Sequence, residues 1–438
     1  MRDVWNTEAL AVKDKKYLWH PFTPMSEWCA KDHSPLVLVR GEGAMLEDSD
    51  GHRYLDGNSS IWTNIHGHAH PKINRAIRDQ LERVAHVSFL GATNPPAIEL
   101  AERLVGFFPQ GTLQRVFLSD DGSTAVEAAM KMAIQFWQME GYPARSRFIA
   151  FDNAYHGDTL GAASLGGINA FQRRVAGHEF PVTRVSGLYE LDSISGFDHG
   201  DVAAVVIEPL IQGAAGMRTW PPGMLRDLRK KCDAAGVFLI LDEVMTGFGR
   251  TGAMFACQRE DVIPDFLCLA KGLTGGYVPL AATLTTERVF EAFLGKVEDG
   301  KTFYYGHSYS GNPVGCAAAL ASLDIFQDEN VLENLAPKIV RLSELLADLR
   351  NEPGIYETRQ CGYIAGIEVR RRNGEAFPWM RRVGAQICLA ARRHGLLTRP
   401  VLDTIVFMPP LCATLEQVES GIAAIRTACR EVLVAAET

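Results

Sequence analysis

Lys271 follows the apolar run DFLCLA (265–270) and precedes Gly272-Leu273-Thr274-Gly275-Gly276, a segment too flexible for a helix interior. A lysine at the C-terminal edge of a parallel sheet stands where ligands bind in such folds. Among apolar groups its ammonium loses solvation, so its pKa falls toward the neutral amine that attacks aldehydes. One lysine is not a site, because most lysines keep the head group in water with only the stem covered. Its neighbours decide.

VFLILDE (237–243) ends an apolar strand on Asp242. A carboxylate there is costly without a cation. A protonated pyridine nitrogen is a suitable partner, and the pairing keeps such a ring an electron sink. A cap on the next turn is the other reading of this segment. Upstream, RVFLSDDGSTAVEAAMKMA runs from strand through Asp120-Asp121-Gly122-Ser123-Thr124 into helix. Gly122 lets the backbone approach closely, and the hydroxyls with the free N–H groups of a helix start make a phosphate cup. An ordinary N-terminus also fits, with Ser123 or Thr124 and Glu127 as a capping box. Tyr155, in Asn153-Ala154-Tyr155-His156-Gly157-Asp158, follows RFIAF (147–151) onto the same sheet edge. It is placed either to stack on a planar ligand or to pack as a structural tyrosine.

Two other motifs lead elsewhere. Gly247-Phe248-Gly249-Arg250-Thr251-Gly252 matches G-x-G-x-x-G, but AMFACQREDVIPD after it is too short and too broken to be the helix of a dinucleotide fold. His66-Gly67-His68-Ala69-His70 has no carboxylate at ligand spacing and reads as a turn into a helix near Pro71, so these are structural histidines and no metal site is expected.

The elements that must position these groups are legible as alternating patterns. Residues 1–60 form a strand-rich arm, in which VLVRGEGAMLEDSDGHRYLDG alternates around Asp-Gly and Gly turns. From 61 to 325, short apolar runs alternate with amphipathic stretches such as TAVEAAMKMAIQFWQ, the pattern of a mainly parallel sheet covered by helices. After a long helix-like stretch over 313–350, the tail to 438 has its own strands (GYIAGIEVR, TIVFMPP) and helices, a smaller α+β domain which the arm joins. The domains are therefore read as 1–60, 61–325 and 326–438 of an α/β protein. A net charge of −8 argues against a sequence-independent nucleic-acid binder. The nine scattered cysteines contain no C-x-x-C pair, which points to reduced thiols and a cytoplasmic protein. The N-terminal stretch MRDVWNTEALAVKDKK is charged and unlike a secretory signal, and no segment reaches the ~20 apolar residues of a membrane span.

The motifs GST (122–124), NAYHGD (153–158), IEP (207–209), LDEVMTGFGRTG (241–252), AKGLTGG (270–276) and HSYSGNP (307–313) together resemble the class III, fold-type I aminotransferases, in order across essentially the whole chain. The resemblance implies a fold-type I transferase with a seven-stranded-type sheet and a smaller domain. It also implies pyridoxal 5'-phosphate as a Schiff base on Lys271, Asp242 at the pyridine nitrogen, Tyr155 on the ring, and Gly122 and Ser123 at the phosphate. A homodimer is implied too, each site completed by the partner's loop of His307 and Ser308. Within the class, WHPFTPM (19–25), DGNSSIWTNIHGHAHP (56–71) and LTRPVLDTIVFMPPL (397–411) look closest to the biotin-pathway 7,8-diaminononanoate synthases, which aminate 8-amino-7-oxononanoate. By that likeness Arg399 binds a substrate carboxylate with its planar fork, while Phe22, Ile61, Trp62 and Gly306 line the substrate site. Most such enzymes take nitrogen from S-adenosylmethionine and some from lysine. Phe22 stands where the usual HPYTSM has Tyr, and Ile61 where S-S-W-W has Trp, which removes a phenol and an indole face. Another ω-amino acid transaminase of the class is the neighbouring reading.

Overall fold

The computed structural model describes residues 5–168, 177–195, 197 and 200–436; residues 1–4 of the charged N-terminal stretch lie outside them. The N-terminal arm forms β1 (Leu38–Glu42), β2 (Met45–Asp48) and β3 (Arg53–Asp56), an antiparallel meander. Beyond it come β4 (Leu113–Ser119), β5 (Arg147–Phe151), β6 (Val182–Val185) and β7 (Val202–Ile207), then a short ribbon of β8 (Ile211–Gln212) and β9 (Arg218–Thr219). β10 (Phe238–Asp242), β11 (Phe266–Leu269) and β12 (Ala281–Thr286) follow. Seven of these make the central sheet in the order β4-β12-β11-β10-β7-β5-β6. β12 alone runs against the others, pairing antiparallel with β11 and β4. β7, β10 and β11 are buried along their whole length, which explains their unbroken apolar runs.

Two apolar layers sandwich the sheet. On one face the helix Gly122–Met139 buries Ala125, Ala129, Met132 and Phe136 against Phe148, Phe238 and Phe266. The other face packs against the larger core, which continues through Leu335 and Leu342 into the C-terminal strands. The long stretch after 313 is two helices rather than one, Pro313–Asp328 and Val331–Leu349. They break at Asn330, whose φ of 46° ends one helical path and starts another.

The C-terminal part contributes β13 (Ile355–Cys361), β14 (Ile364–Val369), β15 (Leu396–Leu397), β16 (Pro400–Val401) and β17 (Thr404–Phe407). β15 pairs in parallel with β3, so the arm and the tail share one sheet. Arg250, fully buried, donates to the carbonyls of Asn64 and Pro409, both at 2.8 Å, and ties the two segments beside the central sheet. Among the described residues no helix is long and apolar enough to cross a membrane.

Candidate active site

Every parallel strand of the central sheet ends toward one edge, and the polar groups cluster there. β4 leads to Gly122 and Ser123, β5 to Tyr155 and His156, β7 to Glu208, β10 to Asp242, and β11 to Lys271. Together they line a cavity of 1220 Å³ that also takes in Phe22, Ile61, Trp62 and Arg399. Gly306, His307 and Ser308 do not line this cavity. His307 Nδ1 lies 3.3 Å from Asp120 Oδ2 without hydrogen-bond alignment, and Gly306 and Ser308 are exposed.

Lys271 opens a single 3₁₀ turn, Lys271–Thr274, with its own φ at 44°. Gly276 after it must be glycine, since a Cβ there would sit 2.7 Å from the Thr63–Asn64 backbone. Nζ lies 4.8 Å from the centroid of the Trp62 ring. Burial pushes the Lys271 amine below its ordinary pKa, while Asp242 and Glu208 act the other way.

Asp242 is 5% exposed, and its Oδ1 accepts the N–H of Val244 at 3.1 Å. Its Oδ2 meets His156 Nδ1 at 2.7 Å. Burial disfavours a charged His156, yet the hydrogen bond and charge of Asp242 and the charge of Glu208 together outweigh it, and the imidazole is raised above its ordinary value. His156 Nε2 is buried with no hydrogen-bond partner among the described residues, and the Asp242 contact at Nδ1 orients this ring. Glu208 is pushed up to about 7 by burial; it accepts the N–H of Tyr155 at 3.0 Å and of Gly213 at 2.9 Å. The phenol of Tyr155 donates to Asp158 at 2.8 Å; burial, then that contact, raises its pKa.

The helix start differs in detail from its sequence reading. Asp121, not Ser123 or Thr124, is the N-cap, and the capping box closes between Asp121 and Thr124. Its carboxylate comes first in the chain and reaches the Thr124 N–H at 2.9 Å. Glu127 turns away to accept from Thr159 Oγ1 at 2.7 Å and Ala162 N at 3.1 Å. Ser123 Oγ accepts the Thr159 N–H at 3.1 Å. Gly122 makes room for Val244, which a Cβ would approach to 2.5 Å.

His156, Glu208 and Arg250 lie inside motifs visible in the sequence, but each has a partner at least 53 positions away, so spacing does not mark them. The glycine-rich GFGRTG is a turn on which Arg250 is buried. The histidine triplet serves the fold: His66 bonds Ser322 at 2.9 Å, His68 bonds Asp56 at 3.0 Å, and His70 caps the helix Pro71–Leu81.

The family model for class-III aminotransferases matches residues 28–429. The chain belongs to the class-III aminotransferases. A relative in Geobacter sulfurreducens named adenosylmethionine-8-amino-7-oxononanoate aminotransferase is 47% identical, covering 95% of this chain and 96% of its own. The crystal structure of an enzyme of the same name from Methanocaldococcus jannaschii superposes with a TM-score of 0.94 at 39% identity, covering 98% of this chain and 100% of that one. A PLP-bound amine transaminase from an uncultivated Pseudomonas species gives 0.88 at 34%, covering 95% and 99%. Class-III aminotransferases use pyridoxal phosphate, and the donor set here fits that group. One cavity offers a primary amine, a buried carboxylate, an aromatic ring, and a hydroxyl at a helix N-terminus.

Proposed function

We propose that this class-III aminotransferase converts 8-amino-7-oxononanoate to 7,8-diaminononanoate in biotin biosynthesis, with S-adenosylmethionine as amino donor. The observation that carries the reading is Arg399 in the same cavity as Lys271 and Asp242, in a chain so similar over its whole length to enzymes of that name. A guanidinium at the cavity rim suits a keto acid's terminal carboxylate.

Pyridoxal phosphate supplies an aldehyde that links to an amine and a ring that takes up the electron pair of the broken Cα–H bond. Lys271 Nζ would anchor the group and, as a free amine, carry the proton away from Cα and on to the carbon of the cofactor's aldehyde; burial favours that neutral amine. Asp242 would keep a proton at the ring nitrogen, and His156 holds that carboxylate. Tyr155 would stack on the ring, and the N–H groups at Gly122 and Ser123 would bind the phosphate. Phe22, Ile61 and Trp62 wall the substrate and exclude water.

The protein is a homodimer in this reading, with the partner's Gly306, the partner's His307 and the partner's Ser308 completing each site. None of the three lines this chain's own cavity, which supports that placement. Residues 61–325 act as the large domain, 326–438 as the small one, and the 1–60 arm joins the small domain through the pairing of β3 with β15. Nine free cysteines support a reducing, cytoplasmic setting. One observation favours lysine as a second donor: Phe22 and Ile61 bring apolar side chains, 61% and 44% exposed, to the cavity.

The test supplies purified enzyme with 8-amino-7-oxononanoate and a panel of donors, and detects diaminononanoate by mass spectrometry. No product from any donor, beside turnover of β-alanine or a diamine, moves the chain to the other ω-amino acid transaminases.

A further inference from the structure

Ser59, Ser60, Ile61 and Trp62 have φ of 45°, 48°, 70° and 67°. With ψ near 50° at Ser60 and Ile61, they form a turn of left-handed helix built without glycine. Each side chain is strained in that region, and the β-branched Ile61 most of all. Such a turn persists only where its surroundings over-determine it.

The chief restraint is Asp56, the last residue of β3 and 1% exposed. Its Oδ1 accepts the Ser60 N–H at 2.9 Å, and its Oδ2 accepts the Ser60 hydroxyl at 2.8 Å. The same Oδ2 lies 3.0 Å from His68 Nε2, so the carboxylate is held from both sides. Further bonds follow: Ser59 Oγ donates to the Met408 carbonyl at 2.7 Å, and the Trp62 indole to Asn58 Oδ1 at 2.9 Å. The turn delivers Ile61 and Trp62 into the cavity, with the Trp62 ring beside Lys271. A relaxed right-handed turn would aim both side chains elsewhere.

We propose that Asp56 is a positioning residue whose grip on Ser60 keeps the Ser59–Trp62 turn left-handed and so sets Trp62 and Ile61 against Lys271 and the keto-acid substrate. This rests on the reading of Trp62 as substrate wall. Asp56 does not line the cavity; it acts through the turn.

The test compares holoenzyme variants D56N, S60A, W62A and the double variant D56N/S60G. KM and kcat for 8-amino-7-oxononanoate are measured beside the pH midpoint of the Lys271-bound cofactor's absorbance and the thermal midpoint. D56N is expected to raise KM about tenfold while kcat stays within about threefold, and to move the absorbance midpoint in the same direction as W62A. Adding S60G returns KM to within about twofold of wild type, because glycine holds positive φ without the latch. A D56N enzyme that melts earlier with unchanged KM and absorbance midpoint overturns the proposal, as does a raised KM that S60G does not restore. Where D56N does not fold, S60A removes only the hydroxyl, and an unchanged KM there is equally fatal. If W62A leaves KM unchanged, the wall reading fails by itself; D56N must still move the absorbance midpoint, and a fixed midpoint then ends the inference too.

Discussion

His156 Nδ1 and Asp242 Oδ2 meet at 2.7 Å in the cavity wall, with the imidazole side chain wholly buried. The histidine comes from the loop after β5 and the aspartate from the end of β10, so two strands on either side of β7 must join one sheet for the carboxylate to be held. Removing the imidazole leaves Asp242 in place but loosely aimed. His156→Phe is expected to keep the Lys271-bound cofactor and slow the half-reaction about tenfold or more. Stopped-flow absorbance with the amino donor reads this. A half-reaction at wild-type rate would leave His156 a packing residue.

Lys271→Ala and Asp242→Asn separate anchoring from electron uptake. The alanine variant loses both the Lys271-linked absorbance and turnover, at least the roughly 10²–10⁴-fold of a missing general base. The asparagine variant keeps the absorbance and loses turnover by about 10²–10³-fold. Spectra and steady-state rates of the two proteins check the distinction; equal spectra would contradict it.

Arg399 is assigned to the keto-acid carboxylate, so its effect belongs to one substrate. Arg399→Ala should lower kcat/KM for 8-amino-7-oxononanoate about 10- to 100-fold, the worth of a charged hydrogen-bonded contact. The corresponding methyl ester should react with variant and wild type alike. An equal loss on both substrates would assign Arg399 to the fold.

His66 makes a prediction about acid stability. Burial first, then the neighbouring His70, pushes its pKa down from 6.5 to about 3. As pH falls below about 6.5 the unfolded chain takes up a proton that the folded chain refuses until about 3, so stability is lost through that window. The slope from this group is at most about 1.4 kcal/mol per pH unit. Denaturant midpoints from pH 7 downward should fall less steeply in His66→Asn than in wild type. Parallel slopes would show that another group carries the acid loss.

Part of the site can be read in the sequence, because Asp242 ends and Lys271 closely follows a strand of apolar residues, where a charged side chain stands out. Gly122 and Tyr155 are readable because each follows a strand that ends at the same sheet edge. Several features that escape depend on a distant partner. His156 acts through a carboxylate 86 positions later. β12 (AATLTT) lacks a strong apolar run, and its antiparallel pairing has no local signal. The left-handed turn at Ser59–Trp62 contains none of the glycine or asparagine that announces positive φ; its hydrogen bonds come from Asp56, four residues back, and reach the distant Met408 carbonyl. The helix cap shifts to Asp121 because a carboxylate earlier in the chain captured the Thr124 N–H.

The central claim is that the cofactor on Lys271 carries nitrogen to a biotin precursor, and paired half-reactions test it most directly. Adding S-adenosylmethionine, or in a separate cuvette lysine, should discharge the absorbance of the Lys271-bound cofactor. After removal of donor, stoichiometric 8-amino-7-oxononanoate should restore it and yield one equivalent of 7,8-diaminononanoate per site. An enzyme discharged by amines but never restored by 8-amino-7-oxononanoate contradicts the account.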